Sequence, residues 1–225
     1  MAKLTDGQKS AILIWWIITG VLWAAYVVLR VVFGGNCERP KLVDPFDKEK
    51  YLGRWYEMYR DKTVPFESYD CATATYEKNG VFINVNNVEY SIQDKKFPGK
   101  NPPNVAKAHC SSFRPGLCQV SFNAFQPWSD YSVMSTDYTS HSVVYGCDNF
   151  ISGMIRFEWL WTLARKPEPK DNRAAYETTV FDIIKSKLSD YDPTTRLRPT
   201  EQTAAKGCVY SEYPTGWESI SPYDQ

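Results

Sequence analysis

The sequence predicts a mainly β protein: an eight-stranded antiparallel up-and-down barrel with one C-terminal α-helix packed on its outside, preceded by a single transmembrane helix. Three observations lead there. A 23-residue apolar run, Ala11 to Phe33, carries only one charge, Arg30. Eight short runs of strand character then follow one another from Gly53 to Arg165, broken by turn residues. One amphipathic helical pattern appears only after them, over Ala174 to Leu188.

At 225 residues the chain has room for one ordinary domain and an added element. A composition 43% hydrophobic and 15% aromatic is far from that of a disordered chain. Lys+Arg and Asp+Glu balance at 26 each, so no charge excess draws the protein to nucleic acid, and that class is excluded.

As a helix rising ~1.5 Å per residue, the apolar run is about 34 Å long, enough for a hydrocarbon core of ~30 Å. A secretory signal would have an apolar region of about 7–15 residues. Arg30 would also fall in its cleavage region, and Asn36 precedes Cys37 where lipid attachment needs a small residue. A permanent anchor over 11–33, after a short tail over 1–10, is therefore expected. Lys3 and Lys9 precede the span and Arg30, Arg39 and Lys41 follow it, so positive charge leaves orientation open. Six cysteines, Cys37, Cys71, Cys110, Cys118, Cys147 and Cys208, all follow the span with no CxxC pair among them. Paired disulfides are the simplest use. They put the C-terminal part in an oxidising compartment and the N-terminal tail on the reducing side. The chain has no Asn-x-Ser/Thr sequon. That favours a periplasm, thylakoid lumen or mitochondrial intermembrane space over an extracellular surface, without separating them. Trp15, Trp16, Trp23 and Tyr26 crowd the span. Such aromatics suggest packing against a bound lipid, a pigment or other transmembrane subunits of a larger, for example energy-transducing, complex.

Residues 34–50 are polar and proline-bearing, a linker or arm rather than a core element. The first strand is GRWYEMYRDK from Gly53. CATATYE leads through Lys78-Asn79-Gly80, a hairpin signal, into VFINVNNVEYSI. There Val81, Ile83 and Val85 share one parity and Val88, Tyr90 and Ile92 the other, so a bulge at Asn86-Asn87 is expected. After the polar loop DKKFPGKNPPN come VAKAHCSS, CQVSFNAF, WSDYSVMSTDY, HSVVYGC and MIRFEWLWTLAR. In the last of these, Ile155, Phe157, Trp159, Trp161, Leu163 and Arg165 fall on one face. The helix carries Tyr176, Val180, Ile184 and Leu188 at four-residue spacing, with Asp171 or Asn172 as cap and Pro193 beyond its end. Residues 51–192 thus form the barrel and helix. Residues 193–225 are expected as an extended tail whose one anchor is Cys208.

Three separated motifs resemble those of the lipocalin family. Gly53-x-Trp55-Tyr56 is similar to the first, at the start of the first strand. Thr136-Asp137-Tyr138 is similar to the second, in the turn between the sixth and seventh strands. Arg165, in WTLARKP, resembles the third. The resemblance covers about Cys37 to Cys208, and YLGRWYE, STDYTSHSVVYGC and LARKP bring it nearest the apolipoprotein D and bacterial lipocalin group. It implies that Trp55 plugs the closed end of the barrel with Arg165 across its ring. Gly53, Tyr56, Thr136, Asp137 and Tyr138 then belong to the same closure. It also implies the bridges Cys37–Cys147 and Cys71–Cys208, which leaves Cys110–Cys118 as a third outside the family pattern.

The function implied is the holding of an apolar molecule: a lipid, fatty acid, sterol or pigment. By parity and resemblance the lining candidates are Tyr51, Tyr76, Phe122, Trp159 and Trp161. Ala72 and Ala74 share the face of Tyr76 and leave space beneath it. The protein is not expected to be an enzyme, or to carry a metal or a fixed cofactor. Thiol catalysis needs a free cysteine, and haem or metal ligation needs an inward histidine, where His109 ends one strand and His141 begins another. Glu57 and Asp61 on one face of the first strand read as ordinary carboxylates of a solvated face. No G-x-S-x-G, H-E-x-x-H or glycine-rich phosphate loop is present.

Overall fold

The computed structural model describes residues 5–33, 35–97, 105–122, 127–150, 155–168 and 172–210. The expected fifth-strand end at Asn123–Phe125, the centre of the long polar loop, the cap candidate Asp171 and the tail from Ser211 lie outside them. The chain forms two compact units, one of residues 1–37 with 148–157 and one of residues 38–147 with 158–225. The smaller holds helix α1, Asp6–Phe33. Its apolar side chains are uncovered, among them Trp16 and Leu22 at 64% exposure. Among the described residues nothing within the unit buries this helix.

The larger unit holds all of the barrel but residues 148–150 and 155–157. The barrel's strands are β1 Gly53–Asp61, β2 Asp70–Asn79, β3 Phe82–Tyr90, β4 Val105–Cys110, β5 Leu117–Ser121, β6 Ser129–Thr136, β7 Ser142–Phe150 and β8 Ile155–Ala164. Each pairs antiparallel with its neighbour, and β1 pairs with both β8 and β2, which closes the cylinder. Closure by short hairpins follows from the sequence: Gly80 takes φ +62 in the β2–β3 turn, where a left-handed conformation suits glycine.

Two irregularities set the barrel's outer contacts. Pairing of β1 with β8 slips by one residue between Glu57 and Tyr59, leaving Met58 as the extra residue. Pairing of β6 with β7 slips likewise between Val133 and Ser135, at Met134. A bulge disturbs the ladder, and here helix α3, Arg173–Lys187, donates to a carbonyl at each, Met58 O accepting from Thr200 N at 3.0 Å as well. Arg173 donates from Nη2 to Met58 O, and Lys187 Nζ donates to Met134 O at 2.6 Å. Between these ends Tyr176, Val180, Ile184 and Leu188 are buried against the barrel wall, and Phe181 meets Tyr59 with ring centroids 5.3 Å apart. Asn172 is the cap, its side chain accepting from Ala175 N at 3.0 Å.

The structure corrects four expectations. The bulge expected at Asn86-Asn87 is absent, because β3 keeps one register from Phe82 to Val88, and the extra residue lies opposite in β2, between Asp70 and Thr73. There Cys71 takes φ +53. Tyr90 and Ile92 need no inward turn, since they are covered from outside by Cys71 and Cys208, joined by a disulfide. The tail is not merely extended: it folds into a helical turn α4, Pro193–Arg196, and a ninth strand β9, Leu197–Pro199, paired with β1. Nor is Cys208 its one anchor. Gln202 is fully buried and donates from Nε2 to Glu57 O at 2.7 Å and Ala72 O at 2.8 Å, bridging β1 and β2 where they diverge. Finally, the arm before the barrel joins the core through Val43 and Phe46 and ends in a helical turn α2, Lys48–Tyr51, capped by Asp47. Val43 N reaches Val133 O at 3.0 Å past Gly116, whose φ is +77 and where an added Cβ would sit 2.9 Å from Leu42 Cβ.

Removing the Cys71–Cys208 bridge by paired alanine substitution is expected to destabilise the barrel by about 2–5 kcal/mol, because it releases the segment that covers the β1–β2 seam. Thermal melts check this, and limited proteolysis should then cut after Tyr191 first.

Candidate functional site

The closed end is assembled from three distant stretches. Gly53 enters β1 at φ +93, a conformation that glycine takes without strain. Two residues on, Trp55 is fully buried and its Nε1 donates to Tyr51 O at 2.9 Å. Arg165, just past β8, lies with Cζ 3.8 Å from the centroid of that ring. Its guanidinium donates to Tyr138 O at 3.0 Å, Arg54 O at 3.0 Å and Lys50 O at 2.8 Å. A planar fork with five donors suits this task, and a lysine would not satisfy three carbonyls in fixed directions.

The Thr136-Asp137-Tyr138 turn supplies one of those carbonyls. Asp137 Oδ1 accepts from the N–H groups of Thr139, Ser140 and His141 at 3.0, 2.7 and 3.0 Å. Burial pushes the Asp137 carboxyl up, but the hydrogen bonds from the His141 and Ser140 side chains and backbones outweigh it and hold the group well below the usual carboxylate range. Tyr138, at φ +66, turns its hydroxyl to accept from Asp47 N at 2.9 Å and so ties in the arm. Tyr56 takes no part in the plug. It faces outward and meets the Tyr210 ring at 5.1 Å, because it alternates with Trp55 along β1.

Above the plug the interior is lined by phenols. The Tyr51 hydroxyl lies 3.0 Å from that of Tyr131 and 2.9 Å from Ser142 Oγ, and Tyr76 and Tyr131 hydroxyls are 2.7 Å apart. Burial raises all three phenols above their ordinary range, Tyr76 and Tyr131 most, so they stay neutral and hydrogen-bonded. Tyr131 was absent from the sequence candidates. Its place on the inward parity of β6, opposite Cys118, was the signal available.

Higher in the barrel the bulge at Met58 decides the chemistry. It turns Arg60 inward with Glu57, whereas Asp61 faces out to Tyr191 and Arg196, both carboxyls being buried rather than solvated. Arg60, 1% exposed, donates from Nη1 to Glu57 at 3.1 Å and Glu89 at 3.0 Å, and from Nη2 to Tyr69 O at 2.7 Å. Glu67, from the loop joining β1 to β2, accepts from Trp161 Nε1 at 2.8 Å. Beside it Phe66 meets Trp159 at 5.6 Å and Phe122 at 6.1 Å between ring centroids. The five lining candidates are therefore not one surface. Tyr51 and Tyr76 stand at the closed end, Trp161 beside the charged cluster, and Phe122 and Trp159 under the loop at the mouth.

Burial raises the Glu67 carboxyl well above the usual range, and the neighbouring Glu57 charge raises it further; burial also raises Glu57 and Glu89. His109 faces outward, its ring 5.0 Å from Trp128. His141 belongs to the turn, its Nε2 3.1 Å from Ser135 Oγ. Cys110 and Cys118 are bonded across the β4–β5 ladder, Cys37 and Cys147 are disulfide-bonded too, and no free cysteine is found. No group of three metal-ligating side chains occurs among the described residues.

A single closed antiparallel cylinder with a buried tryptophan under an arginine at one end and a helix on its flank is the arrangement that the three sequence motifs imply. The chain belongs to the lipocalin family. No protein-family model matches it, but apolipoprotein D of Macaca fascicularis is 34% identical over 160 residues, 69% of this chain and 76% of that protein. The Lazarillo protein of Schistocerca americana is 27% identical over 199 residues, 86% and 88% of the two chains. Among solved structures, insecticyanin from the tobacco hornworm Manduca sexta superposes with a TM-score of 0.60 at 20% identity, covering 80% of this chain and 92% of that one. Lobster apocrustacyanin A1 gives a TM-score of 0.60 at 16% identity over 77% and 92%. These structural likenesses extend to the fold.

Trp55→Ala is expected to cost about 3–5 kcal/mol. A double-mutant cycle with Arg165→Lys should return a coupling of about 1–2 kcal/mol, and zero coupling would remove the plug assignment. For Glu67 the sign is set by its raised pKa. The protonated carboxyl favours the folded state at low pH, and that advantage fades as pH rises through the native value. Glu67→Gln, which stays neutral, should gain in Tm over the parent chain as pH rises from about 5 to 9; melts across that range read the difference.

Proposed function

We propose that this lipocalin holds one small apolar molecule inside its barrel and is kept at a membrane by α1, with the barrel on the oxidising side. The observation that carries the binding is the short inner wall: Ala74, Val85, Ala106, Ala108, Val133 and Val144 are buried in the same core as the closed end. Side chains this small on the wall favour room for a ligand in an eight-stranded cylinder, which larger ones would fill. Lipid, fatty acid, sterol and pigment all fit that requirement. The reading is one of binding rather than catalysis, since every cysteine is bonded and both histidines face away from the interior.

The anchor rests on α1. Its 28 residues make about 42 Å of helix, longer than a hydrocarbon core of ~30 Å. Disulfide bonding of all six cysteines supports an oxidising compartment for everything after the span. A second reading, as an accessory subunit of a larger membrane complex, is favoured by Trp15, Trp16 and Trp23. They are 59%, 64% and 68% exposed, and neighbouring transmembrane helices would cover them. The two readings are compatible.

Native mass spectrometry from mild detergent tests both at once. One lipid-sized mass retained per chain, and lost in Trp55→Ala, is the expected result for the cup. Carbonate washing should leave the chain in the membrane pellet with α1 attached, and recovery of a chain starting after residue 33 would overturn the anchor. Migration as a lone 25.9 kDa chain would remove the accessory-subunit reading.

A further inference from the structure

The barrel interior is apolar at its wall but not along its whole length, and this bears on which apolar molecule it takes. Arg60 on β1 is surrounded by Glu57 on the same strand, Glu89 on β3 and Glu67 from the loop over the mouth. Both terminal nitrogens of Arg60 are engaged, Nη1 by Glu57 and Glu89 and Nη2 by Tyr69 O. Glu89 in turn accepts from Tyr69 N at 3.0 Å. Three carboxyl groups thus face one guanidinium, all inside the cylinder, and Trp161 donates to Glu67 from β8. Because Arg60 pairs with Trp161 across the β1–β8 ladder, the cluster sits between the plug and the mouth. A ligand entering the cup passes it or stops against it.

A second observation points the same way. Asn87 on β3 is opposite Ala74, which is opposite Trp55, so its side chain belongs to the inner face. Its Oδ1 is buried and has no hydrogen-bond partner among the described residues. A buried carbonyl oxygen without a donor is costly. It calls for an N–H or O–H from whatever occupies the cup.

Resting on the binding reading above, we propose that the barrel selects an amphiphile whose polar end donates hydrogen bonds and carries no negative charge, a long-chain alcohol, amide or amine, and that it turns away a free carboxylate. The acceptors are Asn87 Oδ1 and the carboxylates of the Arg60 cluster. The apolar tail lies along the inner wall of the cylinder. A carboxylate head would be desolvated beside like charges, and both terminal nitrogens of the guanidinium, its natural partner, are already bound.

The test uses the full chain in lipid nanodiscs, with empty discs subtracted, titrated at pH 7.5 with tritiated hexadecan-1-ol, hexadecylamine and palmitate. Saturable one-to-one binding of the alcohol and the amine is expected, at least tenfold tighter than that of palmitate. Glu57→Gln/Glu89→Gln, which leaves Arg60 in excess, should reverse the preference toward palmitate. Glu89→Gln alone should narrow it, and serves if the double variant melts below the assay temperature. Asn87→Leu should weaken the alcohol severalfold. Palmitate binding as tightly as the alcohol, or a preference unmoved by the glutamate variants, overturns the proposal and leaves the cup intact. Saturable binding of none of the three overturns both.

Discussion

Arg165 is the constraint on which the closed end depends. The plug needs Trp55 fixed under a cover, and the cover needs the arm, the start of β1 and the turn after β6 to meet at one point. The arm runs straight into β1, but the turn and Arg165 itself are far from both in sequence. The guanidinium brings them together by donating to Lys50 O, Arg54 O and Tyr138 O while its flat face rests on the indole. The turn can deliver its carbonyl because Asp137 collects three backbone N–H groups and fixes the loop's shape. The plug is thus a junction of backbone segments as much as a hydrophobic contact.

The same economy appears on the outside wall. An ideal ladder would use every carbonyl of β1 and β6 within the sheet. The bulges at Met58 and Met134 each turn a carbonyl to α3, where Arg173 and Lys187 at its opposite ends donate to them, Met58 O also accepting from Thr200 N. Apolar burial of Tyr176, Val180 and Ile184 supplies the attraction, but it would tolerate a sliding helix. The two charged donors fix its position along the barrel. The bulge at Met58 has an inner effect too, since it is what turns Arg60 into the cup beside Glu57. One inserted residue therefore shapes both the docking of the helix and the polarity of the interior.

The strands and the helix stripe were legible in the sequence because each rests on periodicity, and the plug because its motifs resemble those of the lipocalin family. Trp55 and Arg165 announce themselves by motif and parity. The charged cluster does not. Arg60 and Glu57 differ by three positions, and alternation alone puts them on opposite faces; only the slip at Met58 reunites them. Glu67 sits in a loop, where periodicity says nothing. The error over Asn86-Asn87 has a related cause. An apolar pattern on both parities of the β3 segment predicts a bulge there, whereas Tyr90 and Ile92 are covered from outside by the disulfide-tied tail. Sequence parity identifies what is buried but not which layer buries it.

Between β1 and β2 the cylinder is joined only over Gly53–Tyr56, and beyond that its gap is filled by β9 and by Gln202 reaching to both strands. A ribosome releases those residues after all eight staves have emerged. Until then the upper half of the first stave has an unprotected flank. The vessel is sealed along that flank only by residues that follow every stave in the chain, so its seam closes by a stretch that is not itself one of the eight.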